Sequence, residues 1–466
     1  MKTINKIYIN GQFVTPHGEE IIDLINPTNE EKIAEVQLAD VDDTLLAIAA
    51  AKAAFPAMRL STREQRMAWL QQLHDALKAR EAELIDTMVE EYGCPRSFAE
   101  STVQRSYLGF LQMRDILADY AFETRVGGAN VVMEPHGVVG LITPWNANYG
   151  FIAGKLATVI ASGSTAVIKP SELSAQQTAL ITECLHAAGL PDGVINIVTG
   201  RGDVVGAEIT RHPDIAKISF TGSTAVGKTI ARGAVDTLKR VTLELGGKSA
   251  NVLLDDADLE RAIPLALQVM SWNSGQACIA GTRLLVAESQ LEAVKTQLRK
   301  HISQLVPGEN IGTSVTAQQF QRVQDYIRKG IEEGAELLCG GEGRAEGFER
   351  GYYVKPTVFV NVRNDMTIAQ QEIFGPVLSV ITYKDDAEAV AIANDTIYGL
   401  QAYVSGKDAA RTAAVANQLI AGRVFVNGVY DEPNAPFGGF KQSGLGREFG
   451  TYGLEGYLEP KAIMGQ

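Results

Sequence analysis

Apolar and polar residues alternate at the start of the chain, and between positions 4 and 37 they predict two short strand pairs, with Asn10-Gly11 as a hairpin turn. From 40 to 121 the period lengthens to that of helices. Ser61 and Glu64 have capping-box spacing ahead of an amphipathic run, and Gly93 and Pro95 punctuate the helices beyond it. Residues 122–137 read as extended, with a turn at Gly127-Gly128. At Val138 the pattern changes. Short apolar runs at 138–143, 165–169, 194–198, 216–220 and 241–245 alternate with helical stretches near 150–162, 174–188, 203–212 and 224–235. Strands that alternate with helices predict a parallel sheet covered on both faces. Ligands of such sheets bind at the carboxyl ends of the strands, where strand order reverses. Ligand contacts are therefore expected in 143–146, 169–172, 199–202 and 221–227. A second α/β pattern runs from Gly247 to about 430, with strands near 282–287, 376–383 and 423–427 and helices near 290–304, 317–333 and 386–395. Residues 436–450 are glycine-rich, and a short extended tail closes the chain.

The chain has 466 residues, 45% hydrophobic and 21% charged, which supports a large core and about three domains. Acidic residues outnumber basic ones by 55 to 42, so nucleic acid and anionic membrane are not expected partners. The longest weakly polar stretch, 151–168, is broken by Lys155, Ser162, Ser164 and Thr165 and does not predict a bilayer span. The first residues lack the apolar run of a secretory signal. Cys94, Cys184, Cys278 and Cys339 are far apart with no C-x-x-C pairing, which predicts a reducing, cytoplasmic setting and no metal site.

Several residues are candidates for chemistry. Gly200, Gly202 and Gly206 give a G-x-G-x-x-x-G spacing after a strand, which serves equally as a strand-to-helix turn. Thr221-Gly222-Ser223 followed by Gly227 opens a helix whose free N–H groups suit a phosphate, with a plain helix cap as the rival. A lone cysteine is usually a small buried hydrophobe. Cys278, however, lies in Asn273-Ser-Gly-Gln-Ala-Cys278-Ile-Ala-Gly281, and such glycines and amides suit close approach to a ligand. A thiolate nucleophile needs activation, and all six histidines lie outside these segments. Glu244, between two leucines, needs a partner or a raised pKa if buried, and Lys248 offers a salt bridge as the simpler explanation. Glu372 precedes a Gly-Pro break, where a surface carboxylate is the bland alternative.

Together these segments resemble the aldehyde dehydrogenase superfamily, in its order and over essentially the whole chain. The pieces are Thr143-Pro-Trp-Asn146, Lys169-Pro-Ser-Glu172, Phe220-Thr-Gly-Ser-Thr224, Leu243-Glu-Leu-Gly-Gly-Lys248, Gly275-Gln-Ala-Cys278, Glu372-Ile-Phe-Gly-Pro376 and Pro436-Phe-Gly-Gly-Phe-Lys441. The resemblance implies an α/β fold of the aldehyde-dehydrogenase type. A Rossmann-type dinucleotide-binding domain would span 1–113 and 136–246, a second α/β catalytic domain 247–442, and a small bridging β-sheet 114–135 and 443–466. It also implies oxidation of an aldehyde to the acid, in a homodimer or homotetramer. Cys278 would be the nucleophile, Glu244 the general base, Asn146 the side-chain donor to the oxyanion, and Lys155 with Glu448 a proton-relay pair. The cofactor residues would be Thr143, Trp145, Lys169, Ser171, Glu172, Gly202, Thr221, Gly222, Ser223, Gly227, Gly246, Glu372 and Phe374. Glu172 can accept from both ribose hydroxyls and would repel a 2′-phosphate, so NAD is expected over NADP.

The chain departs from the family at Asn148, where a proline usually stands two residues after the oxyanion-hole asparagine. Trp272, Phe437, Tyr149 and Phe151 predict an aromatic-lined substrate tunnel. Asp431 and Glu432 add negative charge near its mouth with no matching arginine in sight, which favours a neutral or amino-bearing aldehyde over one carrying a carboxylate. Rival readings are acyl transfer to coenzyme A, a thiol esterase, and a silent binding protein.

Overall fold

The computed structural model describes residues 2–430 and 432–465. Its larger sheet has eight strands, in the order Gly444–Leu445, Arg240–Glu244, Ile215–Thr221, Val138–Ile142, Thr165–Lys169, Ile195–Ile197, Ile7–Ile9 and Gln12–Val14. The five central strands run parallel. Val138–Ile142 comes first in the chain among these five and stands in the middle, so strand order reverses beside it. Alternation along the buried strands divides the core. Val139 and Leu141 pack with Ile152, Leu156 and Phe110 on one face, whereas Val138 and Ile142 pack with Ile48, Ile209 and Ile230 on the other.

The second large sheet has seven strands, in the order Glu336–Cys339, Thr357–Val360, Val377–Tyr383, Arg283–Ala287, Ala250–Leu253, Gln401–Ser405 and Arg423–Val426. All its pairs are parallel except the first. A small antiparallel sheet joins Glu123–Val126, Ala129–Pro135 and Leu458–Met464. A further three-stranded sheet joins Lys2–Ile4, Glu31–Gln37 and Ile21–Asn26, with the first pair parallel and the second antiparallel. Among the described residues no helix is long and apolar enough to cross a membrane.

The hairpin at Asn10-Gly11 forms as expected, with Ile9 paired to Gln12. The capping box lies one residue downstream of the expected one. Thr62 and Gln65 cap the helix Arg63–Lys78, because the Ser61 hydroxyl donates back to the Met58 carbonyl of the preceding helix. Gly93 ends the helix Glu81–Tyr92 at φ 71°, a backbone conformation that costs glycine nothing.

Candidate active site

The two large sheets meet end to end. The first supplies the carboxyl ends of its strands, and the second presents segments that lead into the amino ends of its own. Asn146 leaves the central strand of the first sheet and is buried, at 7% exposure. Its Nδ2 donates to the Gln276 carbonyl at 2.9 Å. In return Asn273 Nδ2 donates to the Asn146 carbonyl at 2.8 Å. This reciprocal clasp ties Asn146 to the loop that carries Cys278.

That loop is strained and over-determined. Asn273, Ser274 and Gly275 succeed one another at φ 51°, 58° and 77°, in the left-handed region. The two non-glycine residues each cost of order 1–3 kcal/mol. Fixed partners offset the cost. Tyr92 donates to Asn273 Oδ1 at 3.0 Å, and Gln276 donates to the Thr313 carbonyl at 2.9 Å while accepting from the Val315 N–H at 3.0 Å. A Cβ on Gly275 would stand 2.2 Å from the carbonyl carbon of Gly375, so the loop needs glycine there for space as well as for conformation.

Cys278 is half-buried. Burial pushes its thiol up, and the carboxylates of Glu372 and Glu244 add to the effect, while only backbone N–H groups act the other way. Glu244 ends its strand at 2% exposure, and neither carboxylate oxygen has a hydrogen-bond partner. Burial holds its pKa well above the usual range, and the nearby Glu448 raises it further. The simpler salt-bridge explanation fails. Lys248 Nζ is itself buried without a hydrogen-bond partner, and burial brings its pKa down to about 7. Behind Glu244, Lys155 bonds to Glu448 and, at 2.8 Å, to Ser219, whose hydroxyl donates to Glu448 at 3.1 Å.

The remaining candidates lie at or just after the ends of the central strands and on the Glu372–Phe374 segment. Lys169 Nζ meets Glu172 Oε2 at 3.0 Å, and the Ser171 hydroxyl caps the turn that carries Glu172. Thr143 and Thr221 end neighbouring strands with buried, unpartnered hydroxyls. Gly222 donates to the Glu244 carbonyl at 3.0 Å, and exposed Ser223 caps the helix Thr224–Val235. A Cβ on Gly227 would stand 2.4 Å from the Leu245 side chain, so glycine lets that helix lie close to the strand end. Gly202 opens the turn Gly202–Gly206 onto empty space. Opposite, Glu372 Oε1 accepts from the Gly247 N–H at 3.1 Å, and its Oε2 lies 2.6 Å from where a Cβ on Gly246 would be. It is therefore no surface carboxylate, and burial lifts its pKa to about 7. Trp145 and Phe374 meet edge to face at 5.6 Å, and a cleft of about 1000 Å³ opens between Trp145, Leu173 and the helix Ala317–Glu332.

Sequence reasoning missed the supports of this site. Gln319 and Arg322 hold the carbonyls of Phe374 and Glu372, each at 2.9 Å, and Ser219 completes the Lys155–Glu448 cluster. Asn273 and Gln276 sat in view inside the cysteine segment, but nothing in the sequence marks Tyr92. One tunnel expectation is corrected. Tyr149 is fully buried and packs in the core between helices, so it lines no tunnel. Trp272, Phe151 and Phe437 are half-buried. Arg105 lies 5.7 Å over the Trp272 ring and Arg423 5.2 Å over that of Phe437, so guanidiniums do stand beside two of the aromatics expected to line the tunnel. Asp431 lies outside the described residues. Asn148 starts the helix Asn148–Ser162 and donates to Thr178 at 3.2 Å, so the turn survives without proline.

The sequence model of the aldehyde dehydrogenase family matches residues 13–463. A Pseudomonas 3-succinoylsemialdehyde-pyridine dehydrogenase is 43% identical, over 100% of this chain and 99% of its own length. The fold is similar to that of an aldehyde dehydrogenase C mutant from Pseudomonas syringae in complex with NAD+ and octanal. That likeness has TM-score 0.97 and 43% identity, over 99% of this chain and 96% of the other. An NAD+ complex of the Bacillus cereus aldehyde dehydrogenase gives TM-score 0.95 and 37% identity, over 99% and 96% of the two chains. The match of sequence over nearly the full length, and of fold at that identity, leads to one conclusion: the chain belongs to the aldehyde dehydrogenase family.

Proposed function

We propose that this enzyme oxidises an aldehyde to its carboxylic acid with NAD as hydride acceptor, through a thiohemiacetal and then a thioester on Cys278. The observation that carries the reading is the clasp between Asn146 and the Cys278 loop, with the buried, unpaired carboxylate of Glu244 close enough to raise the thiol's pKa. The relative's complex with NAD+ and octanal supports the same cofactor and an aldehyde here.

The residues fit NAD. Glu172, steadied by Lys169, would present a carboxylate to the adenosine ribose, and Ser223 with the first free N–H groups of its helix would suit the pyrophosphate. Glu372 and Phe374 would flank the nicotinamide ribose. When bound, NAD supplies an acceptor for the aldehyde hydride.

In our reading the Cys278 thiolate adds to the carbonyl carbon. Charge that grows on the oxygen meets the second Nδ2 hydrogen of Asn146 and the Cys278 backbone N–H. Once the thioester stands, Glu244 takes a proton from water, and water attacks the acyl carbon. The proton then passes towards Lys155 and Glu448. An unpaired, buried carboxylate is costly to ionise and therefore basic, which suits hydrolysis rather than transfer to coenzyme A. We read the eight-stranded sheet and its helices, about 1–113 and 136–246, as the dinucleotide-binding domain, and 247–442 as the catalytic one. Segments 114–135 and 443–466 would bridge subunits of a cytoplasmic dimer or tetramer. Appearance of NADH across a panel of aldehydes, with and without coenzyme A, tests the reading. No NADH from any of them defeats it.

Asn146→Ala lowers kcat by about 10²–10³-fold with little change in the KM for NAD, since one oxyanion donor is lost. An unchanged kcat removes Asn146 from the role. NAD binding, measured by quenching of tryptophan fluorescence, is severalfold tighter at pH 8 than at pH 6. The Glu372 carboxyl, lifted to about 7, is protonated in the acid range and accepts poorly from a ribose hydroxyl. Glu372→Gln flattens that dependence. A pH profile identical to the parent's assigns the titration to another group.

A further inference from the structure

The strands Ile215–Thr221 and Arg240–Glu244 are parallel neighbours, with Lys217 opposite Arg240, Ser219 opposite Thr242 and Thr221 opposite Glu244. Their sequences, Lys217-Ile-Ser-Phe-Thr221 and Arg240-Val-Thr-Leu-Glu244, alternate strictly. Ile218, Phe220, Val241 and Leu243 pack into the apolar core on one face. The polar residues therefore share the other face. They form a track about 13 Å long, from exposed Arg240 to buried Glu244. Lys217 lies on this track beyond the Lys155–Glu448 pair. It is 2% exposed, its Nζ donates to Thr242 Oγ1 at 2.7 Å, and it sits 4.7 Å from the centre of the Tyr457 ring. Inward, Ser219 donates to Glu448 at 3.1 Å and meets the Tyr457 hydroxyl. Outward, half-exposed Glu459 bonds to Arg240 and lies 3.6 Å from His136 Nδ1. The carboxylates that act on Lys217 are these two, Glu448 from within and Glu459 from without, while Lys155 and Arg240 repel its charge.

Thioester hydrolysis delivers a proton to a pocket closed off from solvent, and that proton must leave before the next turnover. We infer that Lys217 carries it onward from Glu448 to the surface at Glu459, acting through Glu448 and not on the substrate. Protonated Glu448 returns to the carboxylate as the neutral amine of Lys217 becomes an ammonium. The Ser219 and Tyr457 hydroxyls, which both donate and accept, bridge this transfer. The ammonium then gives its proton to the Glu459 carboxylate, and Glu459 releases it to solvent. Each turnover exports one proton and leaves every group of the track as it began. Burial brings the Lys217 pKa down to about 7, so near neutral pH the amine both takes and gives a proton. His136 is no substitute, since burial and the Lys217 charge bring its pKa down to about 4. A cation over a ring also serves as a plain packing staple, which is the rival role. The inference rests on the dehydrogenase reading above and extends it from where the proton is taken to where it leaves.

The test follows NADH in the first and later turnovers of the full-length enzyme. Lys217→Ala is expected to release about one equivalent of NADH in the first turnover at the parent's rate, which also shows that it folds. Its steady rate falls on the order of 10²-fold, the lower end of what a positioned acid or base contributes. The solvent deuterium isotope effect on that rate rises above the parent's. Trimethylamine matches the atoms removed beyond Cβ and forms neither imine nor amide, and it restores the steady rate. Tetramethylammonium carries charge but no proton, and it does not. Lys217→Met keeps most of the side chain's bulk, guards against collapse of the site, and shows the same loss. A steady rate unchanged in both variants overturns the inference. So does a lowered rate with the parent's isotope effect, and so does restoration by both additives or by neither. Failure of the dehydrogenase reading has a separate signature: the parent itself yields no NADH from any aldehyde.

Discussion

Cys278→Ala leaves a folded protein that binds NAD but oxidises aldehydes on the order of 10⁴-fold more slowly than the parent, or not at all. The size of the loss comes from the chemistry. Without a sulfur nucleophile there is no thiohemiacetal, and the hydride would have to leave a free or hydrated aldehyde. Folding is spared because Cys278 is half-buried in a loop held by Gln276, Asn273 and Tyr92, none of whose hydrogen bonds involves the thiol. Cys184 is the control. It is fully buried in the core beside Leu185 and Ile181, so Cys184→Ala costs some stability and little specific activity. A Cys278→Ala enzyme near the parent rate, or a folded Cys184→Ala that is dead, reassigns the nucleophile.

Glu244→Gln lowers steady turnover by about 10²–10⁴-fold, the usual worth of a general base, yet still releases close to one equivalent of NADH per site in a burst. If Glu244 serves the hydrolytic half, Cys278 still attacks and the hydride still leaves, and the thioester accumulates. Acid trapping followed by mass spectrometry then finds the acyl group on Cys278. The alternative is that Glu244 also draws the proton from the thiol, which burial pushes up and which has no histidine in its loop to help. In that case the burst and alkylation of Cys278 by iodoacetamide slow together, and raising the pH restores both. Because the pKa of Glu244 is itself raised, its basic form grows as pH rises, so the parent's steady rate climbs with pH and the variant loses that limb. If neither the burst nor the steady rate changes, the base must be sought at Glu372 or Glu448.

The alternation of apolar strands and helices after Val138 placed the central strands to within a residue or two, because a strand buried on both faces is continuously apolar and its neighbours are turns. The second sheet was less legible. Gln401–Ser405 is broken by polar groups inside the core, where Gln401 donates to the Tyr403 hydroxyl and that hydroxyl donates to the Ile279 carbonyl at 2.9 Å. The same limit applied at the site. Cys278 and Glu244 stood in short motifs that residue type alone made conspicuous, whereas Asn146 came only with the family resemblance. The network that fixes them did not stand out. Tyr92 reaches Asn273 across 181 positions, and Ser219 reaches Glu448 across 229. Only closure of the fold brings such pairs together. Tyr149 shows the converse, since its place at the head of a motif helix looked like a tunnel wall and proved to be packing.

The strand that carries Glu244 owes one of its two neighbours to Gly444–Leu445, paired antiparallel, and the Leu245 N–H bonds to the Ser443 carbonyl at 2.9 Å. The Ser443 hydroxyl also donates to the Gly246 carbonyl, across 197 positions. The carboxylate is thus set in place by residues made long after it. Asn146 and Cys278 are both synthesised well before then. Until residues 443–445 emerge, the strand of Glu244 is an open edge, and an edge without its outer neighbour frays. A chain interrupted before residue 443 would leave the strand of Glu244 paired on one side only, with Ile215–Thr221. Completion of that strand's pairing therefore arrives in one step, when this late strand docks.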